Sequence, residues 1–338
     1  MSLFLLMKGS RFVPVLVTSR KGKLTRLCEK EGIKYYTVPM PMWRKLKSWR
    51  RIPFSLAELV RLAAEEEVDL VYANTLWDVP YAVFVGQLLG LKKVGHIRNT
   101  FSRDKIGKYL LWWLDGVIAV SFAVSRPLWM TRLFWRVIYN GVVEGTGEKS
   151  PEKSVFRIAL VGRVDSTKGQ DIAVEALSLA SRRARDFELC VAGEESYLER
   201  GLLSRLKRRA AELEIAEKVR FLGHVDDVYS LFKSSDLSIV PSKPSSNEGF
   251  GRIIPEAFVN RTPVVATSVG GIPEVMRDKE TGYLVPVDAA SFSHKFLLYR
   301  FCPMLGRKHG VNGFRLAGEK FIADHTSRAI ERFLERVL

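Results

Sequence analysis

Short runs rich in Val, Ile and Leu recur along the whole chain, and between them apolar residues return every three or four positions. The first six runs are VPVLVTS (13–19), KYYTVPM (34–40), LVYAN (70–74), KKVGHI (92–97), GVIAVS (116–121) and RVIYNGV (136–142). The later six are RIALVGR (157–163), ELCVAG (188–193), KVRFLGH (218–224), LSIVPS (237–242), PVVATS (263–268) and GYLVPV (282–287). Near-continuous β-branched runs mark strands covered on both faces, and intervening helices make such strands parallel. The pattern predicts an α/β fold of two Rossmann-like, doubly wound domains. Ligands of such sheets bind beyond the carboxyl ends of the strands, so an inter-domain cleft is the expected site.

The polar stretch EGTGEKSPEKS (144–154) separates the two sets of runs and reads as a linker. This divides the chain into a first domain over 1–143, a second over 155–320 and a C-terminal helix over 321–338. In SRAIERFLERVL (327–338), Ile330, Phe333, Leu334, Val337 and Leu338 fall on one helical stripe, expected to pack on the inter-domain side.

Composition narrows the class. The 338 residues are 47% hydrophobic and 27% charged, as in a globular protein. No apolar run reaches the roughly 20 residues of a membrane-spanning helix; Leu110–Val124 is interrupted by Asp115-Gly116. MSLFLLMKGSRF is too brief for a signal peptide and has no small-residue cleavage site. Cys28, Cys190 and Cys302 lie far apart and no HExxH occurs, so neither disulfides nor a metal site nor a cofactor is expected. The net charge of +16 is uneven: residues 1–143 hold 23 Lys and Arg against 10 Asp and Glu, the remainder 30 against 27. The first half is therefore expected to face something anionic.

Three strand-to-helix turns carry candidate chemistry. VGRVDSTKGQDIAVEAL (161–177) places Arg163 and Lys168 beside Gly162 and Gly169. A guanidinium fork and an ammonium at a helix start suit a diphosphate, although on residue type alone a solvated turn with two basic residues is the preferred reading. The spacing is neither a P-loop nor GxGxxG. NEGFGRIIPEAF (247–258) puts Glu248 on a loop and Glu256 in the first turns of a helix, with Pro255 at an early helical position. Gly249 and Gly251 permit close approach of a ligand to the main chain. Glu256 suits two vicinal hydroxyls, or else merely complements the helix dipole. TSVGGIPEVM (267–276) is the third turn.

Together these segments resemble the retaining GT-B glycosyltransferases of the large family 4 type. The resemblance rests on GR…KG (162–169), FLGHV (221–225), SDLSIVPS (235–242), EGFGRIIPE (248–256), VVATSVGGIPE (264–274), TGYLVP (281–286), VIAVS (117–121) and VIYNGV (137–142). It implies a nucleotide-sugar donor on the second domain. Arg163 and Lys168 would hold the diphosphate, the amides around Gly249, Phe250 and Gly251 would meet phosphate and sugar, Glu256 would grip the ribose and Glu248 the sugar. Gly193, Gly223 and Val225 would line the base, although GEESY (193–197) departs from a glycine common in the family and leaves UDP against GDP open. Retention by front-side attack, with the leaving phosphate taking the acceptor's proton, requires no enzymic base and no metal. The nucleotide-sugar is then a substrate rather than a cofactor.

The resemblance also implies that His96, in VGHIRNTF (94–101), touches the transferred sugar or the acceptor, although a strand-end His taken alone is more often a hydrogen-bonded structural residue; Arg98 beside it suits an anionic acceptor or else is a surface charge. MPMWRKLKSWRRIPF (40–54) mixes Trp43, Arg44, Lys45, Lys47, Trp49, Arg50 and Arg51 in a basic, aromatic stretch that suits a membrane surface. The paired Trp112 and Trp113 are expected in the core. Cytoplasmic action at the inner face of the cell membrane follows, on a lipid-linked or polysaccharide acceptor of envelope glycan synthesis such as lipopolysaccharide. The family usually opens with a strand and a Gly-rich turn ahead of the segment matched by VPVLVTS. Their absence predicts an upstream true start and a break in the middle of the first sheet. The rivals fit less well: a GT-B nucleotide-sugar epimerase would lack Glu-x7-Glu with GFG, a glycoside hydrolase would not need phosphate-type turns, and a nucleic-acid binder would show a recognition motif.

Overall fold

The structure is a computed structural model that describes residues 10–43, 49–149 and 154–338. The chain divides into two compact units, one formed by Met1–Gly141 with Ala323–Leu338 and the other by Val142–Ile322.

In the first unit, β1 (Leu16–Thr18) pairs in parallel with β2 (Tyr35–Thr37). A second parallel sheet runs in the order β3 (Leu70–Ala73), β4 (Lys92–Ile97), β5 (Gly116–Ala119), β6 (Trp135–Val137). Among the described residues no ladder joins the two sheets. Side chains tie them instead. Val17 of β1, Tyr36 of β2 and Val71 of β3 pack against one buried cluster of Val38, Ile52, Leu59, Leu62, Tyr81 and Val85. The cluster draws on the helices Ile52–Glu65 and Val79–Leu89, each of which carries Pro in its first turn, where the missing N–H costs no hydrogen bond.

The C-terminal helix Ala323–Val337 completes the first unit. Its predicted stripe is buried at Ile330, Phe333, Leu334 and Val337 in one cluster with Val94, Ile118 and Ile138. Phe333 stacks on Phe134 with ring centres 5.1 Å apart, and Thr326 Oγ1 donates to Tyr139 O at 2.9 Å. Each such aliphatic or aromatic side chain contributes about 1.5–3 kcal/mol on burial. Leu338, placed on the same stripe by spacing, lies beyond the helix end and is exposed.

The second unit holds a six-stranded parallel sheet among its described residues. Its strands are β7 (Phe156–Val161), β8 (Phe187–Ala192), β9 (Val219–Gly223), β10 (Leu237–Val240), β11 (Val264–Thr267) and β12 (Gly282–Val285). They lie in the order β12-β11-β10-β7-β8-β9, the doubly wound arrangement. Residues 144–149, the described part of the stretch read as a linker, belong to this unit, as do Val142 and Val143. Composition misleads there because polar and glycine residues do the packing, with Gly145 against Val259 and Gly147 against Phe314. Lys149 Nζ is buried against Phe232 O, Ser235 O and Thr262 Oγ1. Among the described residues no helix is long and apolar enough to cross a membrane.

Candidate functional site

In the second sheet, β7 lies between β8 and β10, so successive strands run outward from it in opposite directions. That reversal opens a crevice at the carboxyl ends of β7 and β10. The turn after β7 carries Arg163 and Lys168, and the loop after β10 carries Glu248.

Asp165 organises the turn. Its carboxylate accepts from Thr167 N at 3.0 Å, Thr167 Oγ1 at 2.5 Å and Arg163 Nε at 2.7 Å. Burial opposes its charge, but the Thr167 and Arg163 hydrogen bonds outweigh burial and hold the carboxyl below its ordinary range. Gln170 Nε2 donates to Arg163 O at 2.9 Å, so both ends of Arg163 are oriented. The Asp165 pairing uses only Nε of an otherwise exposed guanidinium.

Lys168 crosses to the other loop. Its Nζ donates to Glu248 Oε2 at 2.7 Å, and Ser242 Oγ reaches the same oxygen at 3.4 Å. Gly251 N donates to Glu248 Oε1 at 3.2 Å. Lys243 N donates to Thr167 O at 2.8 Å, so the two segments are joined by main chain as well. The third turn docks on the same glutamate, since Gly271 N donates to Glu248 O at 3.1 Å. Gly270 has φ +55, and a Cβ there would stand 1.9 Å from Glu248 O. Only glycine permits that approach. Phe250 turns its ring inward against Phe321, centres 5.7 Å apart, which leaves the main chain of the Gly249–Gly251 segment as the part offered to a ligand.

Glu256 lies in the helix Ile253–Phe258 with Pro255, as predicted from the sequence. Its carboxylate is nearly buried, and Oε1 accepts from Arg252 Nε at 2.7 Å. Gly193 N donates to Gly223 O at 2.7 Å, so two of the expected base-lining residues are adjacent. Gly193 has φ +148, and a Cβ there would fall 2.0 Å from Gly162 O, so three neighbouring strand ends present bare main chain. Val225 follows, half-buried. The loop at 194–200 is laid on the β7 turn: Ser196 N donates to Val164 O at 2.9 Å, and Glu199 accepts from Ser166 N at 2.8 Å and Ser166 Oγ at 2.9 Å. Asp165, Gln170, Ser242 and Glu199 were missed on the sequence. Asp-Ser-Thr after the strand is an Asx-turn signal that marks Asp165; nothing local marks Ser242.

In the first unit, His96 is on β4 near its carboxyl end, but it is 1% exposed rather than open. Its strand is covered on both faces, which buries the ring. Nδ1 meets Tyr72 Oη at 2.6 Å and Arg98 Nη2 at 3.4 Å. Nε2 is buried and has no hydrogen-bond partner among the described residues. Burial, with Arg98 adding to it, pushes the imidazole well below its ordinary range, so the ring is neutral. Arg98 is tethered within the unit. Nε reaches Asn74 O and Oδ1, both at 3.2 Å, Nη2 reaches Asn74 Oδ1 at 2.7 Å and Nη1 reaches Asn140 Oδ1 at 2.8 Å.

The aromatic residues redistribute the expected membrane surface. Trp43 stacks on Phe84, centres 5.1 Å apart and planes 5° apart, and meets Tyr81 edge-on, so it is a packing residue. Trp49, Arg50 and Arg51 are exposed. Arg44, Lys45 and Lys47 lie outside the described residues. Trp112 and Trp113, expected in the core, are 52% and 57% exposed, because Leu111 and Leu114 on either side occupy the inward positions of that turn.

Two family descriptions match almost consecutive parts of the chain: Glycosyltransferase Family 4 over residues 12–144 and Glycosyl transferases group 1 over 147–299. The lipopolysaccharide core biosynthesis mannosyltransferase LpsB of Rhizobium meliloti is 27% identical over 279 residues, 76% of each chain. LpcC of Rhizobium leguminosarum, named for the same activity, is 28% identical over 51% of this chain and 49% of its own. A D-inositol 3-phosphate glycosyltransferase of Salinispora tropica is 38% identical over 40% of this chain and 28% of its own. The chain thus spans about half or less of the length of these last two relatives. Among solved structures, Anabaena Alr3699/HepE in complex with UDP and glucose aligns with TM-score 0.86 at 22% identity, covering 98% of this chain and 94% of that one. A glycosyltransferase from Rickettsia africae aligns with TM-score 0.84 at 21% identity, covering 99% and 93%.

Proposed function

Because the chain belongs to the GT-B glycosyltransferases of the family 4 type, we propose that it moves a glycosyl group from a nucleotide-sugar to an envelope glycan acceptor. The observation that carries this reading is the junction of the β7 turn and the β10 loop at the sheet's switch point, closed by Lys168 and Glu248. Two basic side chains, Arg163 and Lys168, lie on the β7 turn, and a leaving diphosphate is stabilised by such donors. On donor binding, Arg163 and Lys168 exchange their carboxylate partners for phosphate oxygens. Glu248, released from Lys168, accepts hydroxyls of the sugar. Glu256, oriented by Arg252, accepts from the ribose. The acceptor oxygen attacks the anomeric carbon from the leaving-group side, the bond to the phosphate oxygen breaks, and that phosphate takes the acceptor's proton, so configuration is retained.

Two relatives named as lipopolysaccharide core mannosyltransferases support an acceptor of that class, lipid-linked and anionic. The surplus of cations in residues 1–143 supports work at an anionic membrane. In this reading the contacts come from Trp49, Trp112, Trp113 and Trp129, all exposed, with Arg50 and Arg51. A thermal-shift screen of UDP, GDP and ADP, then of their sugars, tests the donor side. Stabilisation by one nucleoside diphosphate is expected; stabilisation by none refutes the reading.

A further inference from the structure

The edge of the first sheet carries a groove that the proposed reaction does not use. Strand β6 is three residues long and pairs only with β5 among the described residues. Beside it, the helix Phe122–Ser125 buries Val124 and Ser125 and leaves Phe122 53% exposed. Phe122, Leu133, Phe134, Trp135, Arg136 and Val137 line an open groove of about 460 Å³, within the size range of small-ligand clefts, roughly 300–1,000 Å³. The charge around it has one sign. Residues 116–143 include Arg126, Arg132 and Arg136 and no Asp or Glu. All three arginines are exposed, and none pairs with a carboxylate among the described residues.

Strand addition by a second copy of the chain is disfavoured at this edge. Carbonyls alternate sides along a strand; Phe134 O faces β5 and accepts from Val117 N at 2.9 Å, so Trp135 O faces outward. Arg136 Nη1 donates to that outward oxygen at 2.9 Å, and its guanidinium carbon lies 5.1 Å from the centre of the Phe134 ring. The edge carbonyl is thus engaged and a charged side chain straddles the strand, an arrangement that blocks pairing with another chain. Among the described residues no hydrogen bond engages Nε or Nη2 of Arg136, which leaves part of its donor fork for a phosphate. We propose that this groove binds one anionic lipid, its acyl chain against Phe122, Leu133 and Trp135 and its phosphate on Arg136, with Arg132 adding charge next to Leu133. A single molecule held in a cleft differs from adsorption of the exposed tryptophans to a bilayer. The groove lies wholly within the first unit, so this proposal does not rest on nucleotide-sugar transfer.

Titration calorimetry of the full chain with octyl phosphate, kept below its micelle-forming concentration, tests the site. One molecule is expected to bind per chain. Hexyl phosphate, shorter by two methylenes, should bind roughly ten- to twentyfold more weakly, as burial of two CH₂ groups implies. Octyl glucoside, with the same chain and no charge, should bind at least roughly tenfold more weakly, and inorganic phosphate should not displace the amphiphile. Phe122→Ser, at an exposed position, should weaken octyl phosphate about tenfold with the melting temperature unchanged. Arg132→Gln with Arg136→Gln should erase the preference for octyl phosphate over octyl glucoside. Trp112→Ser with Trp113→Ser should leave the affinity as in wild type, which separates the groove from the other exposed aromatic surface. Absence of binding, equal affinity for octyl glucoside or displacement by inorganic phosphate overturns the proposal. So does concentration-dependent dimerisation that Phe122→Ser abolishes, which would assign the groove to a second copy. None of these outcomes alters the nucleotide thermal shift, which tests the glycosyl-transfer reading separately.

Discussion

Lys168 Nζ lies 2.7 Å from Glu248 Oε2 and joins the turn after β7 to the loop after β10. Because the pair is partly solvated, it adds little stability, about 1 kcal/mol or less. Its expected weight is in the reaction. Lys168→Met should lower turnover by roughly a hundredfold, as loss of one charge stabiliser at a leaving group does, and should weaken nucleoside diphosphate binding. Glu248→Ala should lower turnover with little change in nucleotide affinity. Calorimetry with UDP and GDP beside steady-state rates separates the two; equal affinity in wild type and Lys168→Met would remove Lys168 from the phosphate site.

Glu256→Ala is expected to weaken nucleotide binding about tenfold by removing a charged hydrogen bond to ribose. Arg252→Ala should produce a smaller loss of the same kind, since Arg252 orients the carboxylate without touching ribose. A 2′,3′-dideoxy nucleotide should bind wild type and Glu256→Ala alike.

Gly270→Ala should destabilise the second unit by about 2–4 kcal/mol, because the new methyl overlaps a main-chain oxygen and the backbone is left-handed there. The displaced oxygen belongs to Glu248, so donor turnover should fall together with the melting temperature. Gly318→Ala, in the helix Pro303–Lys320 where a Cβ meets nothing within 4 Å, is the control: it should leave turnover unchanged and raise stability by up to about 1 kcal/mol.

Burial depresses Lys149 to about 8, with Asp236 partly opposing it. Between that value and the ordinary lysine range, the unfolded chain binds the proton and the folded chain does not. Folding is therefore favoured as pH rises through this window. Urea midpoints of the wild type, relative to Lys149→Met, should rise from pH 7.5 to pH 10. A flat difference would place the amine in a better-solvated site.

Trp112→Ser with Trp113→Ser should reduce co-sedimentation with anionic vesicles at low salt while leaving the melting temperature within about 1 kcal/mol of wild-type stability. Trp43→Ser should do the reverse, with a cost of about 2 kcal/mol from its lost stacking against Phe84. Equal sedimentation of the double variant would move the contact elsewhere.

The strands were legible because each runs through a buried sheet, where packing repeats the same demand on every residue: Val117–Ile118–Ala119 and Val264–Val265–Ala266 can hardly be read otherwise. What escaped were properties of single side chains whose surroundings come from distant segments. Nothing around Lys149 announces that Phe232, Ser235 and Thr262 will enclose it. Trp43 and Trp112 look alike in sequence; Phe84 and Tyr81, forty residues on, bury one and not the other. His96 was located by its strand, but its contacts with Tyr72 and Arg98 arise only where the folded sheet brings both to one nitrogen.

The helix Ala323–Val337 is separated from the rest of the first unit by the whole of the second. During synthesis, the cluster of Val94, Ile118 and Ile138 must therefore remain uncovered until more than 180 further residues have emerged, as residues 142–322 intervene. The usual N-to-C order of assembly is inverted: the second unit can finish on the ribosome before the first. Ribosome-bound chains stopped short of Ile330 should accordingly present a folded second unit alongside an incomplete first unit that engages chaperones.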